Sequence, residues 1–169
     1  MSFELEAVIE IPKGSSYKYE VDKSSGRLTL DRPINQEIPF SYGFIPATLE
    51  SDSDPIDIFV LSIYPIPPLT HVKVKIFGAL KCKDNGFDDN KLLGVLVGEE
   101  MSWNSHETHT KTIENYLKTY KEGFQVLGFV GVDGAKELYK NAVDFYESLQ
   151  KPILQEANKS WFTLPWVGK

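Results

Sequence analysis

The chain has 169 residues, of which 41% are hydrophobic and 25% are charged, and its formal net charge is −6. This length suits one ordinary domain, and the composition is typical of a globular protein rather than a disordered one. The acidic balance disfavours a nucleic-acid-binding protein, because such proteins usually carry a basic excess. No linker, repeat or low-complexity stretch divides the sequence, so we predict a single domain over residues 1–169.

Cysteine content and hydropathy indicate where the protein resides. Cys82 is the single cysteine, so an internal disulfide cannot form, which predicts a reducing compartment. The first residues carry acids where a secretory signal would carry lysines. The most apolar stretch, 58–69, is too short to cross a bilayer and contains several prolines. We therefore expect a cytoplasmic protein without a membrane partner.

The first part of the chain is predicted to form short strands separated by turn residues. The predicted strands cover residues 5–11, 17–21, 27–31, 57–61, 71–80 and 91–97. A turn-rich loop is expected at 83–90, between the last two of these strands. Many short strands with turns between them favour a closed or nearly closed sheet.

The last third of the sequence changes to helical spacing. Ile113, Tyr116 and Tyr120 recur as they would on one face of a helix, and a short strand is expected at 124–130. Asp133 is a candidate N-cap for a second helix. Its predicted apolar face comprises Leu138, Tyr139, Ala142, Phe145 and Leu149. Strands followed by helices indicate an α+β fold, with a small barrel and two main helices packed outside it.

The most informative local motif is Asp52-Ser53-Asp54-Pro55-Ile56-Asp57, directly before an apolar strand. Grouped carboxylates raise each other's pKa unless a cation neutralises them, and their oxygens suit Mg²⁺, Mn²⁺ or Ca²⁺. A solvated acidic turn explains the motif equally well when it is considered alone. An EF-hand fits poorly, because its required glycine and glutamate positions hold Asp57 and Ile63.

Other charged residues fall at unusual places in the predicted strands and loops. Asp84 and Asp89 lie in a second acidic loop, which by itself is either a polar connection or part of a ligand set. Glu10 interrupts an apolar strand, and Lys18 and Glu20 share one strand face by period two. Such charges would face a barrel interior only if paired or bound to a ligand; a solvent-exposed face is the alternative.

Taken in chain order, these segments resemble the family I soluble inorganic pyrophosphatases. The matching segments are Val8-Ile-Glu-Ile-Pro12, Lys18-Tyr-Glu20, Asp31-Arg32, Tyr42-Gly43, the motif from Asp52 to Asp57, Asp84 with Asp89-x-Lys91, and Tyr120-Lys121. The resemblance runs from about residue 7 to residue 121. It implies a five-stranded, OB-like closed β-barrel with helices beside it, in agreement with the α+β prediction.

The resemblance also implies a role for each matching residue. Asp52, Asp57, Asp84 and Asp89 would bind Mg²⁺, for which Mn²⁺ or Zn²⁺ can substitute, and Asp54 would be the general base. Glu10 and Glu20 would support the metal–water network. Lys18, Arg32, Tyr42, Lys91, Tyr120 and Lys121 would bind the phosphate oxygens, and the first three of these count among the catalytic groups. The implied activity is hydrolysis of pyrophosphate by a homohexamer built from two trimers.

Some features depart from the family pattern or leave other functions open. Ile38 stands where tyrosine is frequent, Asn85 stands where an acid is frequent, and the tail at 161–166 matches nothing in the pattern. His106 and His109 have helical spacing but lack the further ligands of a zinc site, so we interpret them as exposed structural residues. The alternatives are an OB-like module that binds nucleic acid or protein, and a phosphohydrolase that prefers polyphosphate or nucleotides.

Overall fold

A computed structural model describes residues 2–103 and 106–163, with side chains described through residue 150. Within these residues, eight strands precede the two α-helices, and a ninth strand lies between the helices. In chain order the elements are β1 Glu4–Ile11, β2 Tyr17–Val21, β3 Leu28–Pro33, β4 Ser41–Phe44, β5 Asp57–Leu61, β6 His71–Asp84, β7 Phe87–Asp88, β8 Lys91–Leu96, α1 His106–Lys118, β9 Phe124–Gly131 and α2 Val132–Thr163. A single turn of 3₁₀-helix, Glu100–Ser102, precedes α1.

Five strands form a closed ring in the order β1, β4, β5, β8, β6, because β6 pairs with β1 as well as with β8. The pairing of β5 with β8 is parallel, whereas the other ring pairs are antiparallel. Gly43 allows β4 to approach β1 closely, since a Cβ atom there would overlap the Val8 carbonyl oxygen. The predicted five-stranded closed sheet with two helices is confirmed.

β5 is buried on both faces and so belongs to two hydrophobic clusters. Ile58 and Val60 pack in a cluster that includes Ala135 and Ala142 of α2. Phe59 and Leu61 pack in a second cluster with residues of α1. This double burial explains why the strand is a continuous apolar run rather than an alternating one. Both helices are thus fixed to the ring, and the start of β5 at Asp57 has a defined position.

Two further structures extend from the ring. β2 and β3 form a separate two-stranded sheet, with a register irregularity between Lys18 and Tyr19. β6 continues past the ring to Asp84, where it pairs with β7 and β9. The expectation of a turn-rich loop at 83–90 is therefore wrong for part of that segment, because Lys83 and Asp84 continue β6 and Phe87 and Asp88 form a short strand. β4 was also absent from the predicted strands.

Several expected boundaries differ from the structure. α1 ends at Lys118, so Tyr120 lies beyond the helix. α2 begins at Val132 and places Asp133 inside its first turn, so Asp133 is not the N-cap. Along α2, Ala142 is buried but Phe145 and Leu149 are exposed, because the helix extends past the ring that covers its first turns.

The tail at 164–169 and the side chains from 151 onwards lie outside the described residues, and the single domain over 1–169 stays a prediction. In the part of the chain that the structure describes, no helix has the length and apolar character needed to cross a membrane.

Candidate active site

A polar cavity of about 390 Å³ opens where the ring, the β2–β3 hairpin and the turn after α1 meet. Seven carboxylate side chains and four lysines line it. The predicted site residues in its wall are Glu10, Lys18, Glu20, Tyr42, Asp52, Asp54, Asp57, Asp84, Asp89, Lys91, Tyr120 and Lys121. Segments far apart in the sequence therefore supply one concave, strongly charged surface.

Parallel pairing of β5 and β8 builds the deepest part of the cavity. Asp57 and Lys91 are opposite each other in the register and begin their strands. The Lys91 ammonium donates to Asp57 Oδ2 at 2.6 Å and to Asp89 Oδ1 at 2.8 Å. It also donates to Tyr42 Oη at 2.7 Å, from the neighbouring strand β4. One buried lysine, with its side chain 3% exposed, thus holds two carboxylates and a phenol together.

A tight turn presents Asp52 and Asp54 beside this group. The Asp54 backbone N–H donates to Asp52 Oδ1 at 3.0 Å, a local contact typical of an aspartate turn. Ser53 between them has a φ of 71°, and Pro55 follows. Ile56 and Ile58 are fully buried, which anchors the chain directly after the turn. The two carboxylates therefore point into the cavity from a fixed base.

Asp84 reaches the cavity from the far end of β6. Its Oδ2 accepts from Lys121 Nζ at 2.5 Å. The Asn85 backbone N–H donates to the Gly123 carbonyl at 3.0 Å, which attaches this corner to the turn after α1. Tyr120 and Lys121 lie on that turn, so the position at which α1 ends determines where their side chains meet the cavity.

The β2–β3 hairpin supplies cationic groups on the opposite side. Lys18 pairs across the hairpin with Arg32, and Lys18 Nζ lies 3.2 Å from Asp31 Oδ2. Arg32 is the one predicted site residue that does not line the cavity. Its guanidinium lies 5.5 Å from the centre of the Tyr120 ring, so it borders the cavity through that cation–π contact.

Glu10 connects the ring to the hairpin. Its Oε2 accepts from the Val21 backbone N–H at 2.8 Å and from Lys23 Nζ at 3.1 Å. Val21 also packs with Val8 and Phe44 of the ring. Because the register is irregular after Lys18, Tyr19 lines the cavity together with Lys18 and Glu20. Strict period-two alternation, which placed only Lys18 and Glu20 on this face, is therefore incomplete.

Comparison with known proteins identifies the family to which a chain with this site belongs. The sequence model of the inorganic pyrophosphatase family matches residues 7–147. An inorganic pyrophosphatase of Campylobacter jejuni is 35% identical over 158 residues, which cover 85% of this chain and 92% of the relative. The chain belongs to the inorganic pyrophosphatase family.

Solved structures of family members agree with the fold. The inorganic pyrophosphatase of Thermus thermophilus has a TM-score of 0.78 at 33% identity, covering 85% of this chain and 91% of that one. The enzyme of Helicobacter pylori has a TM-score of 0.79 at 33% identity, covering 85% and 94%. The ring with two helices is therefore the fold of this pyrophosphatase family.

The electrostatics of this pyrophosphatase-family site are dominated by crowded acids. Burial raises the pKa of Asp57 to about 7, although Lys91 partly offsets this effect and Asp89 adds to it. Burial also raises the pKa of Asp52 to about 6, against the hydrogen bond from Asp54. Burial would raise the pKa of Asp89 too, but the charge and hydrogen bond of Lys91 lower it overall. The cavity wall therefore combines an excess of acidic groups, seven against four lysines, with burial that disfavours their charged forms.

The donor set fits a hard divalent cation. Among residues 2–103 and 106–163, no three acidic, histidine or cysteine side chains are close enough to share an ion as they stand. Lysine ammonium groups lie between the carboxylates instead, Lys91 at Asp57 and Asp89, and Lys121 at Asp84. Burial is the main cause of the raised pKa values of Asp52 and Asp57, so their charged forms lack the stabilisation that water or a cation would give. Divalent cations would stabilise these charged forms, and carboxylate oxygens are their preferred ligands.

The positions that depart from the family pattern are explained locally. Ile38 is 2% exposed and packs in the cluster beneath Tyr42, so an apolar residue suits the position. Asn85 has a φ of 49° and its side chain donates to Asp84 Oδ1 at 3.3 Å. It removes one negative charge from that corner relative to an acid. His106 stacks on Phe77 with ring centres 4.0 Å apart, which confirms a structural use of this histidine.

Sequence reasoning missed several residues of the site. Lys23 lines the cavity and pairs with Glu10, but a lysine in a turn gives no sequence signal of its own. Glu50 and Asn90 are buried directly behind the cavity wall. A buried acid next to an acidic motif is a weak signal, because the sequence does not show where its partner lies. Cys82 is buried and its pKa is raised to about 12 by burial, as expected for a small strand residue without an activating partner.

Proposed function

We propose that this protein hydrolyses inorganic pyrophosphate to two orthophosphates with bound divalent cations, of which Mg²⁺ is the physiological one. The carrying observation is the cavity of a pyrophosphatase-family member, which is lined by carboxylates together with lysines and tyrosines and is bordered by Arg32 through Tyr120. Pyrophosphate binds there as a compact polyanion, which needs cations on one side and hydrogen-bond donors on the other.

The proposed metal ligands are Asp52, Asp57, Asp84 and Asp89. All four line the cavity, and they come from the turn before β5, the start of β5, the end of β6 and the approach to β8. Bound Mg²⁺ supplies charge neutralisation and lowers the pKa of a coordinated water. With metal held by the carboxylates, the ammonium groups of Lys91 and Lys121, which now pair with Asp57, Asp89 and Asp84, would be available to donate to phosphate oxygens.

The remaining residues act on the substrate and on a proton. Asp54 is exposed at the cavity and accepts a proton as the water oxygen attacks one phosphorus atom. The bond from that phosphorus to the bridging oxygen breaks, and the bridging oxygen leaves with the second phosphate. Lys18 and Arg32 neutralise charge on this leaving phosphate, Arg32 through two parallel donors. Tyr42 and Tyr120 add neutral donors that orient it.

A phosphate-release assay tests the proposal. Wild-type protein is incubated with pyrophosphate and Mg²⁺, and orthophosphate is measured with and without a chelator in excess. We expect turnover that is abolished by the chelator and partly restored by Mn²⁺ or Zn²⁺. Absence of turnover with all three metals would contradict the proposed function. Tripolyphosphate and ATP in the same assay show whether a longer phosphate chain is preferred.

The binding-module alternative needs a separate measurement. Filter binding with single-stranded DNA at low salt is expected to show no retention, since the cavity carries more carboxylates than lysines. Retention that weakens steeply with salt, in a protein without phosphate release, would favour the alternative.

Assembly and compartment complete the proposal. Leu127 and Phe129 on β9 are about half exposed, at 56% and 48%, together with Val132 nearby. Exposed apolar side chains on one strand support contact with further copies, and we propose the hexamer expected from the family resemblance. Light scattering after size exclusion measures its mass. The single buried thiol of Cys82 supports a reducing, cytoplasmic setting.

A further inference from the structure

A buried pair behind the cavity joins the two segments that carry Asp52 and Asp89. Glu50 and Asn90 are only 9% and 5% exposed. Glu50 Oε1 accepts from the Asn90 backbone N–H at 2.9 Å, and Glu50 Oε2 accepts from Asn90 Nδ2 at 2.6 Å. We refer to these two hydrogen bonds as the Glu50–Asn90 clasp. It connects positions 40 residues apart in the sequence.

Strand geometry explains why the clasp lies outside the cavity. Side chains alternate along an extended chain, so Asp89 and Lys91 face the cavity while Asn90 between them faces away. Asn90 Oδ1 accepts from the Cys82 backbone N–H at 3.0 Å. The Asp89 backbone N–H donates to the Cys82 carbonyl at 3.0 Å. Asn90 thus fixes the approach to β8 against β6, and with it the direction of the Asp89 side chain.

The backbone of Glu50 contributes to the turn that carries Asp52. Its N–H donates to the Asp54 carbonyl at 2.9 Å, and its carbonyl accepts from the Ser53 N–H at 3.0 Å. These two bonds close the turn that presents Asp52. Ser51 adds a second connection, since its Oγ accepts from the Asp88 backbone N–H at 2.8 Å. Glu50 therefore closes the Asp52 turn with its main chain and hydrogen-bonds the Asp89 segment with its side chain.

We propose that Glu50 is a positioning residue that sets the distance between Asp52 and Asp89 for a shared divalent cation. This inference rests on the proposed metal-dependent function. A buried carboxylate costs solvation free energy that an apolar side chain of similar volume would avoid. Its directional hydrogen bonds to Asn90 fix the positions of the two segments relative to each other, which apolar packing alone would not do. Outer residues that orient metal ligands commonly change metal affinity by about 10–100-fold.

A donor–acceptor exchange tests the clasp. In Glu50→Gln the new side-chain NH2 group faces the NH2 group of Asn90. Two donors then meet, and the side-chain hydrogen bond between the residues is lost. Adding Asn90→Asp reverses the side-chain bond, because the new amide donates to the new carboxylate, which still accepts from Cys82. The double variant has the same net charge as the wild type. Mn²⁺ affinity is measured by calorimetry without pyrophosphate, beside thermal unfolding and phosphate release at saturating Mg²⁺.

We expect Glu50→Gln to weaken Mn²⁺ binding by about 10-fold, and the double variant to return within about 3-fold of the wild type. Asn90→Ala keeps the backbone bond to Glu50 but removes the side-chain bonds to Glu50 and to the Cys82 N–H, so it should lose at least about 10-fold. Asp88→Asn is the matched control, since it removes one charge from the same loop while its side chain is 53% exposed and pairs with Lys83. Its Mn²⁺ affinity should stay within about 2-fold of the wild type.

Two results would overturn the clasp. One is a Glu50→Gln protein with a lower unfolding midpoint but unchanged Mn²⁺ affinity, which would make the pair merely structural. The other is an Asp88→Asn protein that loses as much affinity as Glu50→Gln, which would make the effect one of net charge. The variants could show the expected pattern of Mn²⁺ affinity while the wild-type protein releases no phosphate. That result would support the clasp and contradict the proposed function.

Discussion

The two walls of the cavity are built in different ways. The carboxylate wall comes from the ends of ring strands and the turns beside them, and the side chains of Asp57, Asp89 and Lys91 are 18%, 12% and 3% exposed. The opposite wall rests on a hairpin with its own two-stranded sheet, where Lys18 and Arg32 are 25% and 39% exposed. The first wall is therefore the more buried of the two, whereas the second is more exposed and is joined to the ring through Glu10 and the packing of Val21. We expect the first to govern kcat and metal affinity, and the second to govern KM.

Replacing the central carboxylate should give the largest effect. We expect Asp57→Asn to lower kcat by at least about 10²-fold and to weaken metal binding, because it removes a proposed ligand. Rates are measured at saturating Mg²⁺ and pyrophosphate, with circular dichroism to confirm folding. Asp31→Asn is the matched control on the hairpin; it should change KM more than kcat. Near-normal kcat in Asp57→Asn would remove the distinction between the two walls.

The turn beside it should give a similar loss in rate with a different signature. We expect Asp54→Asn to lower kcat by at least about 10²-fold, because the carboxylate no longer accepts a proton. Metal affinity should remain within a few-fold of the wild type, since Asp54 is not a proposed ligand. The comparison requires kcat and Mn²⁺ affinity from the same preparation. A loss of affinity as large as that of Asp57→Asn would make Asp54 a ligand instead.

The hairpin should respond more weakly and mainly through KM. Arg32→Lys keeps the charge but loses the paired donors and the stacking on Tyr120. We expect kcat/KM to fall by about 10-fold, with most of the change in KM. Initial rates over a range of pyrophosphate concentrations at fixed free Mg²⁺ measure both constants. A fall confined to kcat would place Arg32 with the carboxylate wall in function.

The link between the walls should have a smaller effect. Glu10→Gln weakens the bonds to Val21 and Lys23 that hold the hairpin to the ring. We expect KM to rise by about 5-fold and the Val21 amide to exchange hydrogen faster, because one charged acceptor is lost. Glu4→Gln on the exposed start of the same strand is the control. Unchanged exchange at Val21 would show that apolar packing alone holds the hairpin.

A change of pH should have the smallest of these effects. It should act through metal binding by the carboxylate wall. The pKa of Asp57 is raised to about 7 by burial, so this group is mostly protonated below pH 7 and must lose that proton to bind metal. Metal affinity should therefore fall as pH falls, by about 3-fold from pH 7.5 to 6.5 for one such proton. Calorimetry in two buffers of different ionisation enthalpy also measures the released proton. An affinity independent of pH in this interval would contradict the shift.

The sequence by itself determined much of the fold and most of the candidate site. Apolar runs, alternation and turn residues located the strands that become β1, β2, β3, β5, β6, β8 and β9, since periodicity records which faces of an element are buried. β4 and β7 were missed, because strands of four and two residues hold too little pattern. The ordered acidic, basic and tyrosine segments were sufficient for the family resemblance, which supplied the residue roles that are still predictions.

The tertiary structure alone decided which of these segments meet. Asp57 and Lys91 are 34 residues apart and become neighbours only through the parallel register of β5 and β8. The irregular register after Lys18, the location of Arg32 behind Tyr120 and the Glu50–Asn90 clasp likewise have no local signal. The physical reason is that a side-chain pattern encodes the burial of its own segment, whereas the pairing partner is selected by packing of the whole chain.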